Sequence, residues 1–322
     1  MMSTVELQLI IPESRRGQRL DLALAALVPD YSRARLQQWI RAGQVMLDGR
    51  VAQVREKVRG GEAVHIAAAL PEDTSAAPEA IALEVVHADP DLLVINKPAG
   101  LVVHPAAGNP AGTLLNALLH YDPGLALLPR AGIVHRLDKS TSGLLVIARN
   151  LTAHKRLVEA LAARDVTREY LCVVNTVLTG GGTIDAPIGR HPVDRKRMAV
   201  TAGGKPAVTH YRVEARYRAH TLVRVSLETG RTHQIRVHMA HQHTPLVGDP
   251  VYGGRLRLPA SAGTALQAAL TAFRRQALHA TRLELRHPAS GAWVGWEVGV
   301  PQDMERLINV LREDAEELAN GG

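Results

Sequence analysis

From residue 82 onward the chain is cut into short apolar runs closed by glycine, proline, asparagine or aspartate. "ALEVVHADPDLLVINKPAG" holds two such runs split by an Asp-Pro turn, and "YLCVVN", "THYRVEARY", "TLVRVSLE" and "WVGWEVGV" repeat the pattern. Runs of this length and composition are strands. Helical spacing intervenes only at "GTLLNALLHY", "NLTAHKRLVEALAA" and "RTHQIRVHMAHQH", where apolar residues recur three and four apart. Strands outnumber helices and do not alternate with them. That predicts an α+β fold with a large, mixed, mainly antiparallel sheet and flanking helices over residues 80–322. The tail "DMERLINVLREDAEELANGG" reads as a charged amphipathic helix.

The first 68 residues follow different rules. "GQRLDLALAALVP" repeats Leu20, Leu24 and Leu27 at helical spacing, and "SRARLQQWIRAG" offers Ser32 as N-cap, Leu36 and Ile40 on one face and Gly43 as the stop. "QVMLDGRVA" is two short strands around Asp48 and Gly49, the strongest short hairpin signal. "EKVRGGEAVHI" resembles another turn and strand. Arg33, Arg35 and Arg41 on the second helix and Arg50 at the hairpin gather on this unit, either as a solvated basic face or as an RNA contact. Residues 69–79, which take in most of "AALPEDTSAAP", are small, polar and proline-bounded, a linker. The whole stretch over residues 16–68 resembles the S4 RNA-binding domain. The resemblance implies a basic face that grips structured RNA through phosphates and shape more than base identity.

Composition narrows the classes. A chain of 322 residues with 46% hydrophobic and 21% charged residues is ordinary for a globular protein, and no apolar run reaches 18 residues, so no membrane partner is expected. The N-terminal stretch has Glu6 early and no basic leader, unlike a secretory signal. One cysteine, Cys172 among apolar neighbours, excludes an internal disulfide and predicts a core thiol in a reducing cytoplasm. The net charge of +7 favours a polyanionic partner, while aromatics at 3% argue against a broad base-stacking platform. Nothing demands an oligomer, so a monomer is expected.

The chemistry concentrates in "GIVHRLDKSTSGLLVIARN", residues 132–150, where His135, Arg136, Asp138 and Lys139 precede a fully apolar run. On spacing alone this is a charged loop, or a carboxylate kept ionised by neighbouring cations at the edge of a sheet. The segment closely resembles the signature of pseudouridine synthases of the RluA family, in which the aspartate of "HRLD" is essential. The resemblance implies that Asp138 is the catalytic aspartate, with His135, Arg136 and Lys139 beside the RNA. Ser140 departs from the family, which often has aspartate there.

Three more stretches resemble family motifs. "INKPAGLVVHPAAGNPAGTLLNALLHY" carries Lys97 and Pro98 before a glycine turn. "TREYLCVV" implies Tyr170 against the target base. "LETGRTHQIRVHMAHQHTPLVGDPVYGG" implies Arg231 as ion-pair partner of Asp138, a role that suits a guanidinium's paired donors. In "ALHATRLELRHP", Leu285 is the implied wall of the base pocket. His233, His238, His241 and His243 have helical metal-site spacing but no acidic or cysteine ligand set, so no metal is expected.

The implied reaction rearranges uridine to pseudouridine without any cofactor, after the nucleotide is flipped out of its stack. Asp138 would attack the sugar carbon, attack the ring, or assist base loss. "HPAAGNPAGTLLNALLHY" with "LPRAGIVHRLDK" looks most like members acting on bacterial 23S rRNA, free or in a pre-50S ribosomal particle; a tRNA-directed or other rRNA-directed member is the nearest alternative. A non-catalytic RNA-binding assembly factor would not need Asp138, Tyr170 and Arg231 together. A glycosidase would need a second acid near Asp138.

Overall fold

The computed structural model describes residues 3–28, 31, 33–70, 76–106, 108–194, 197–256 and 258–320. The N-terminal unit comprises β1 (Ser3–Ile10), α1 (Leu20–Leu27), α2 (Arg33–Arg41), β2 (Val45–Leu47), β3 (Arg50–Val51) and β4 (Ala63–Leu70), with an antiparallel sheet in the order β1-β4-β2-β3. Asp48 and Gly49 both have positive φ, 48° and 77°, as the tight turn between β2 and β3 requires. Leu20, Ala23 and Leu24 of α1 meet Leu36, Trp39 and Ile40 of α2 over Val45, Leu47, Val64 and Ile66. The sheet reaches back to Ser3, beyond the start expected at residue 16. Val5, Leu7 and Leu9 alternate along β1 and pack on the same core, which is why that strand pairs all along β4. The expected cap at Ser32 and the linker residues 71–75 lie outside the described residues, and residues 69–70 finish β4.

The second unit is built on β5 (Val85–Ala88), β6 (Leu92–Lys97), α3 (Leu114–Tyr121), β7 (Ser142–Ala148), α4 (Leu151–Ala163), β8 (Val166–Val174), β9 (Gly182–Asp185), β10 (Ile188–Arg190), β11 (Met198–Val200), β12 (Val208–Arg216), β13 (Thr221–Leu227), α5 (Gln234–His241), α6 (Thr264–Ala272), β14 (Leu278–Arg286), β15 (Trp293–Glu297) and α7 (Gln302–Asn320). Its main sheet runs β5-β6-β7-β14-β8-β13-β12-β9, with β15 on β14. Only the β7–β14 pair is parallel, and β10 and β11 form a separate hairpin. The α+β expectation holds.

Both faces of this sheet are covered. Leu145 and Ile147 of β7 join Leu114 and Leu118 of α3 and Ile235 and Met239 of α5. Leu144 and Val146 face Ala153 and Leu157 of α4 instead. A third cluster packs α6 and α7 against Val173, whose neighbour Cys172 is buried in the first as expected. All seven residues of β7 are buried, so the apolar run after "HRLDKST" is a central strand rather than an edge. Caps place the helices: Thr113 and Asn116 form a capping box on α3, and the Asn150 side chain accepts from the Ala153 amide at 2.8 Å to start α4. At Gly143 the parallel strands meet so closely that a Cβ would lie 2.2 Å from the Ala280 carbonyl oxygen, and φ is +114°. Only glycine fits there, and the junction fixes the C-terminal end of the charged loop.

Candidate active site

The loop before β7 is tied down from several sides. The buried Lys97 ammonium donates to the carbonyls of Pro98 at 2.8 Å, Leu101 at 3.0 Å and Lys139 at 3.2 Å. It thereby joins the glycine turn after β6 to the residue following Asp138. Burial pulls its pKa down to about 7, while the charge of Asp138 pulls it upward. Arg275 reaches the Ser140 carbonyl at 3.3 Å, Gln276 donates to the Thr141 hydroxyl at 3.1 Å, and Leu137 is sunk in the core. His135 accepts a hydrogen bond from the Val146 amide through Nε2 at 3.1 Å. Burial, with help from Arg168, drives the His135 pKa down to about 3. Its imidazole is neutral with its acceptor in use. It braces the loop as a neutral acceptor and also lines the cavity described next.

Asp138 faces a cavity of about 400 Å³, within the roughly 300–1,000 Å³ range of small-molecule sites. Arg236 donates through Nη1 to Asp138 Oδ2 at 3.0 Å. The back of the same guanidinium is clamped by Asp249, with Nε to Oδ2 at 2.7 Å and Nη2 to Oδ1 at 2.9 Å. Asp249 also accepts from the amides of Val251 and Tyr252. Burial opposes the charge of Arg236, but the bonds and charges of Asp249 and Asp138 outweigh it and raise its pKa. A rigid guanidinium thus presents one N–H to Asp138.

Among the described residues Oδ1 of Asp138 has no hydrogen-bond partner. His233 Nε2 stands 3.8 Å from it, too far for a hydrogen bond. His233 has φ of 57° at the start of α5, and its Nδ1 lies 2.8 Å from the Tyr252 hydroxyl, which itself accepts from the Met198 amide at 3.0 Å. Burial lowers the His233 pKa against the pull of Asp138. Tyr170 is 6% exposed in the cavity wall, and burial raises its pKa, so the phenol is neutral.

The structure relocates two expected residues. Arg231 lines the cavity, but it is exposed and its Nε donates to the Pro206 carbonyl at 3.0 Å. The ion pair with Asp138 belongs to Arg236, which is 4% exposed within α5, whereas Arg231 precedes that helix. Leu285 packs with Leu144, Val146 and Leu157 and is not among the cavity residues. The leucine of β14 in the wall is Leu278, opposite Cys172. Seven residues of strand put Leu285 roughly 23 Å further along.

Arg136 is exposed on the cavity wall, and Lys139 is exposed with its Nζ 3.3 Å from Asn109 Oδ1. In the N-terminal unit, Arg33 is bound by the buried Asp21 at 2.7 Å, and Arg50 is paired with Glu56. Arg35 is half-buried and Arg41 exposed, its Nη2 3.4 Å from Gln37 Oε1. Arg33 and Arg50 therefore serve the fold of the unit. Arg236, Asp249 and Asp21 were missed in the sequence. The available signal for Arg236 was an arginine enclosed by Ile235 and Val237, in a helix buried from Gln234 to Met239; such a residue must find a counter-charge.

Two further groups of histidines and carboxylates have partners of their own. His238 lies 2.8 Å from the Thr209 hydroxyl and 2.9 Å from the Ala186 carbonyl. Asp89, Asp91 and His287 bring ligand atoms within 4.8 Å of one another. However, Asp89 already accepts from two backbone amides and contacts His87 and His287, the arrangement of a braced turn.

Among the described residues Asp138 is the one carboxylate in a cavity wall that also carries five arginines, a charge balance that attracts a polyanion. The chain belongs to the RNA pseudouridylate synthase family, which residues 91–241 match, and residues 18–64 match the S4 domain. It is therefore an isomerase of RNA uridines carrying an RNA-binding unit. Two relatives are named ribosomal large subunit pseudouridine synthase D. That of Xanthomonas campestris is 56% identical over 96% of this chain and 93% of its own length, and that of Escherichia coli K12 is 55% identical over 98% of each. Among solved structures, human RNA pseudouridylate synthase domain containing 4 superposes with a TM-score of 0.55 at 26% identity, over 71% of this chain and 93% of that one. No helix among the described residues is long and apolar enough to cross a membrane.

Proposed function

We propose that this protein converts uridines of the large-subunit 23S rRNA to pseudouridine, with Asp138 as the reacting carboxylate. The observation that carries the reading is the half-satisfied state of Asp138 in the cavity wall: Oδ2 is held by Arg236, while among the described residues Oδ1 has no hydrogen-bond partner and the wall has no second acid. Attack on the sugar carbon, attack on the ring and base loss by elimination all need such an oxygen at the nucleotide. The single carboxylate also argues against glycoside hydrolysis, which pairs two.

The flipped uridine enters between Tyr170 and the loop of Asp138, at a cost of a few kcal/mol of unstacking. Tyr170, neutral and fixed on β8, offers a ring face to the uracil. Arg236 and Asp249 hold the carboxylate through the reaction. Exposed Arg136 at the cavity, and Arg41 on the S4 unit, supply the charge that meets RNA phosphate. The near full-length likeness to large-subunit enzymes supports the substrate, as free rRNA or a pre-50S particle, and with it a cytoplasmic place of work.

The test is to map pseudouridines in 23S rRNA from cells lacking this protein. The reading expects specific sites to revert to uridine, to return with the parent gene, and to stay lost with Asp138→Asn. An unchanged map would refute the substrate, and restoration by Asp138→Asn would refute the role of Asp138.

A further inference from the structure

The cavity wall holds a second buried arginine with no such clamp. Arg168 lies two residues before Tyr170 on β8 and shares its inward face. It is 8% exposed and lines the cavity. Its Nη2 reaches only main-chain carbonyls, of Leu227 at 3.5 Å and Glu228 at 3.4 Å, at the outer limit of a hydrogen bond. Its Nε is buried with no hydrogen-bond partner among the described residues. No carboxylate among them stands within ion-pair distance, although the other buried arginine of the cavity, Arg236, has two. Gly230 makes room for the group, because a Cβ there would lie 2.9 Å from Nη1.

A guanidinium is always charged, and a buried charge without a partner is costly to fold around. Such a group persists where a ligand completes it. We infer that Arg168 is a further substrate-contacting residue, whose guanidinium takes a carbonyl oxygen of the flipped uracil and holds the negative charge that the ring carries during the reaction. The inference rests on the reading of this site as a pseudouridine synthase centre.

The chemistry demands such a group by every route. When the bond from C1′ to N1 breaks, its electron pair leaves with the ring, which becomes an anion sharing charge over N1, O2 and O4. Base loss by elimination releases the same anion, and attack on the ring pushes a pair onto O4. Rejoining through C5, loss of the C5 proton and gain of a proton at N1 restore a neutral isomer with nothing consumed. Within this cavity the exposed Arg136 and Arg231 are placed for strand phosphates. Arg168, deeper and beside Tyr170, is placed for the base. A preorganised donor facing charge that develops in the reaction is the arrangement that lowers a barrier.

The experiment uses the full chain and an unmodified large-subunit rRNA transcript, following pseudouridine formation in a single turnover at saturating enzyme, RNA affinity, and thermal unfolding without RNA. The parent must form pseudouridine; if it does not, the reading of the site fails before this inference is tested. With an active parent, Arg168→Met should slow the saturating rate by roughly 100- to 1,000-fold. RNA affinity should stay within about threefold, and the unfolding temperature should be unchanged or raised, since an unpaired buried charge has been removed. Arg168→Lys, which keeps the charge without the fork, should recover part of the rate and also serves if the methionine variant fails to fold. A rate within threefold of the parent overturns the inference. So does weaker RNA binding at an unchanged saturating rate, the mark of a phosphate contact, or a rate loss accompanied by a lower unfolding temperature, the mark of a strut.

Discussion

The two units of the molecule each set an aspartate against arginine, to opposite ends. In the N-terminal unit Asp21 has a fully buried side chain and both its oxygens are engaged: Arg19 binds each of them at 3.0 Å, and Arg33 at 2.8 Å and Gln37 at 2.5 Å add to Oδ2. Burial would raise its pKa, but those hydrogen bonds outweigh it and lower it. In the second unit the side chain of Asp138 is 16% exposed and one of its oxygens has no hydrogen bond among the described residues. The saturated carboxylate ties α1 to α2; the half-saturated one keeps an oxygen for a substrate. Burial and an arginine partner do not separate structure from chemistry, but the count of unused lone pairs does.

Arg236→Met should have the largest effect of the variants around these two carboxylates. It frees Asp138 and leaves the fully buried Asp249 unpaired, so single-turnover pseudouridine formation should fall by more than 100-fold, with a loss of about 3–5 kcal/mol in denaturant unfolding. Retained stability would show that Asp249 finds another partner. Asp21→Asn should cost about 2–4 kcal/mol, read as earlier melting of the N-terminal unit. The saturating rate should stay near the parent's while RNA affinity weakens. A large drop in that rate would erase the contrast between the two aspartates.

The acid response tests the loop's supports, His135 and the buried His279, whose Nδ1 lies 2.9 Å from the Ser142 hydroxyl at the loop's end. Burial, aided by Arg275, pulls His279 down to about 4, and burial pulls His135 down to about 3, against about 6.5 in an unfolded chain. Below 6.5 the unfolded chain binds protons that these two folded sites refuse. Their contribution to stability is full above that pH and is lost as pH falls toward the folded values, by up to roughly 3 kcal/mol for His279. The unfolding temperature should therefore decline from pH 6.5 to 4, and His279→Asn should flatten the decline by about 1.4 kcal/mol per pH unit. A flat profile in the parent would contradict the neutral state of both rings. The smallest effect belongs to Arg231→Ala, a few-fold weaker RNA binding with the rate retained, since its guanidinium rests on the Pro206 carbonyl; a loss as large as that of Arg236→Met would return the ion-pair role to Arg231.

What was legible in the sequence was set by local rules. The hairpin at Asp48-Gly49, the helix of Leu114–Tyr121 and the helix of Leu151–Ala163 appear where periodicity and turn chemistry put them. The loop of Asp138 was legible through its motif. The choice between Arg231 and Arg236 was not, because "GRTHQIR" holds both and only the packing of α5 decides which is enclosed. Leu285 was misplaced for a similar reason: the pocket meets one end of β14, and nothing in "LHATRLELR" marks which end. The helix Thr264–Ala272 went unread because its alanines leave just Leu266 and Leu270 buried, too few to set a period. Asp21 and Asp249 needed partners 12 and 13 residues away, distances at which sequence carries no pairing rule.

The most direct trial is single-turnover pseudouridine formation by Asp138→Asn beside the parent, with RNA affinity and thermal unfolding measured on the same samples. Because only Oδ1 is offered to the nucleotide and the amide keeps the shape of the side chain, the rate should fall by at least about 10⁴-fold while binding and unfolding stay near the parent's. Product at anything close to the parental rate, from a folded and RNA-bound Asp138→Asn protein, would contradict the account.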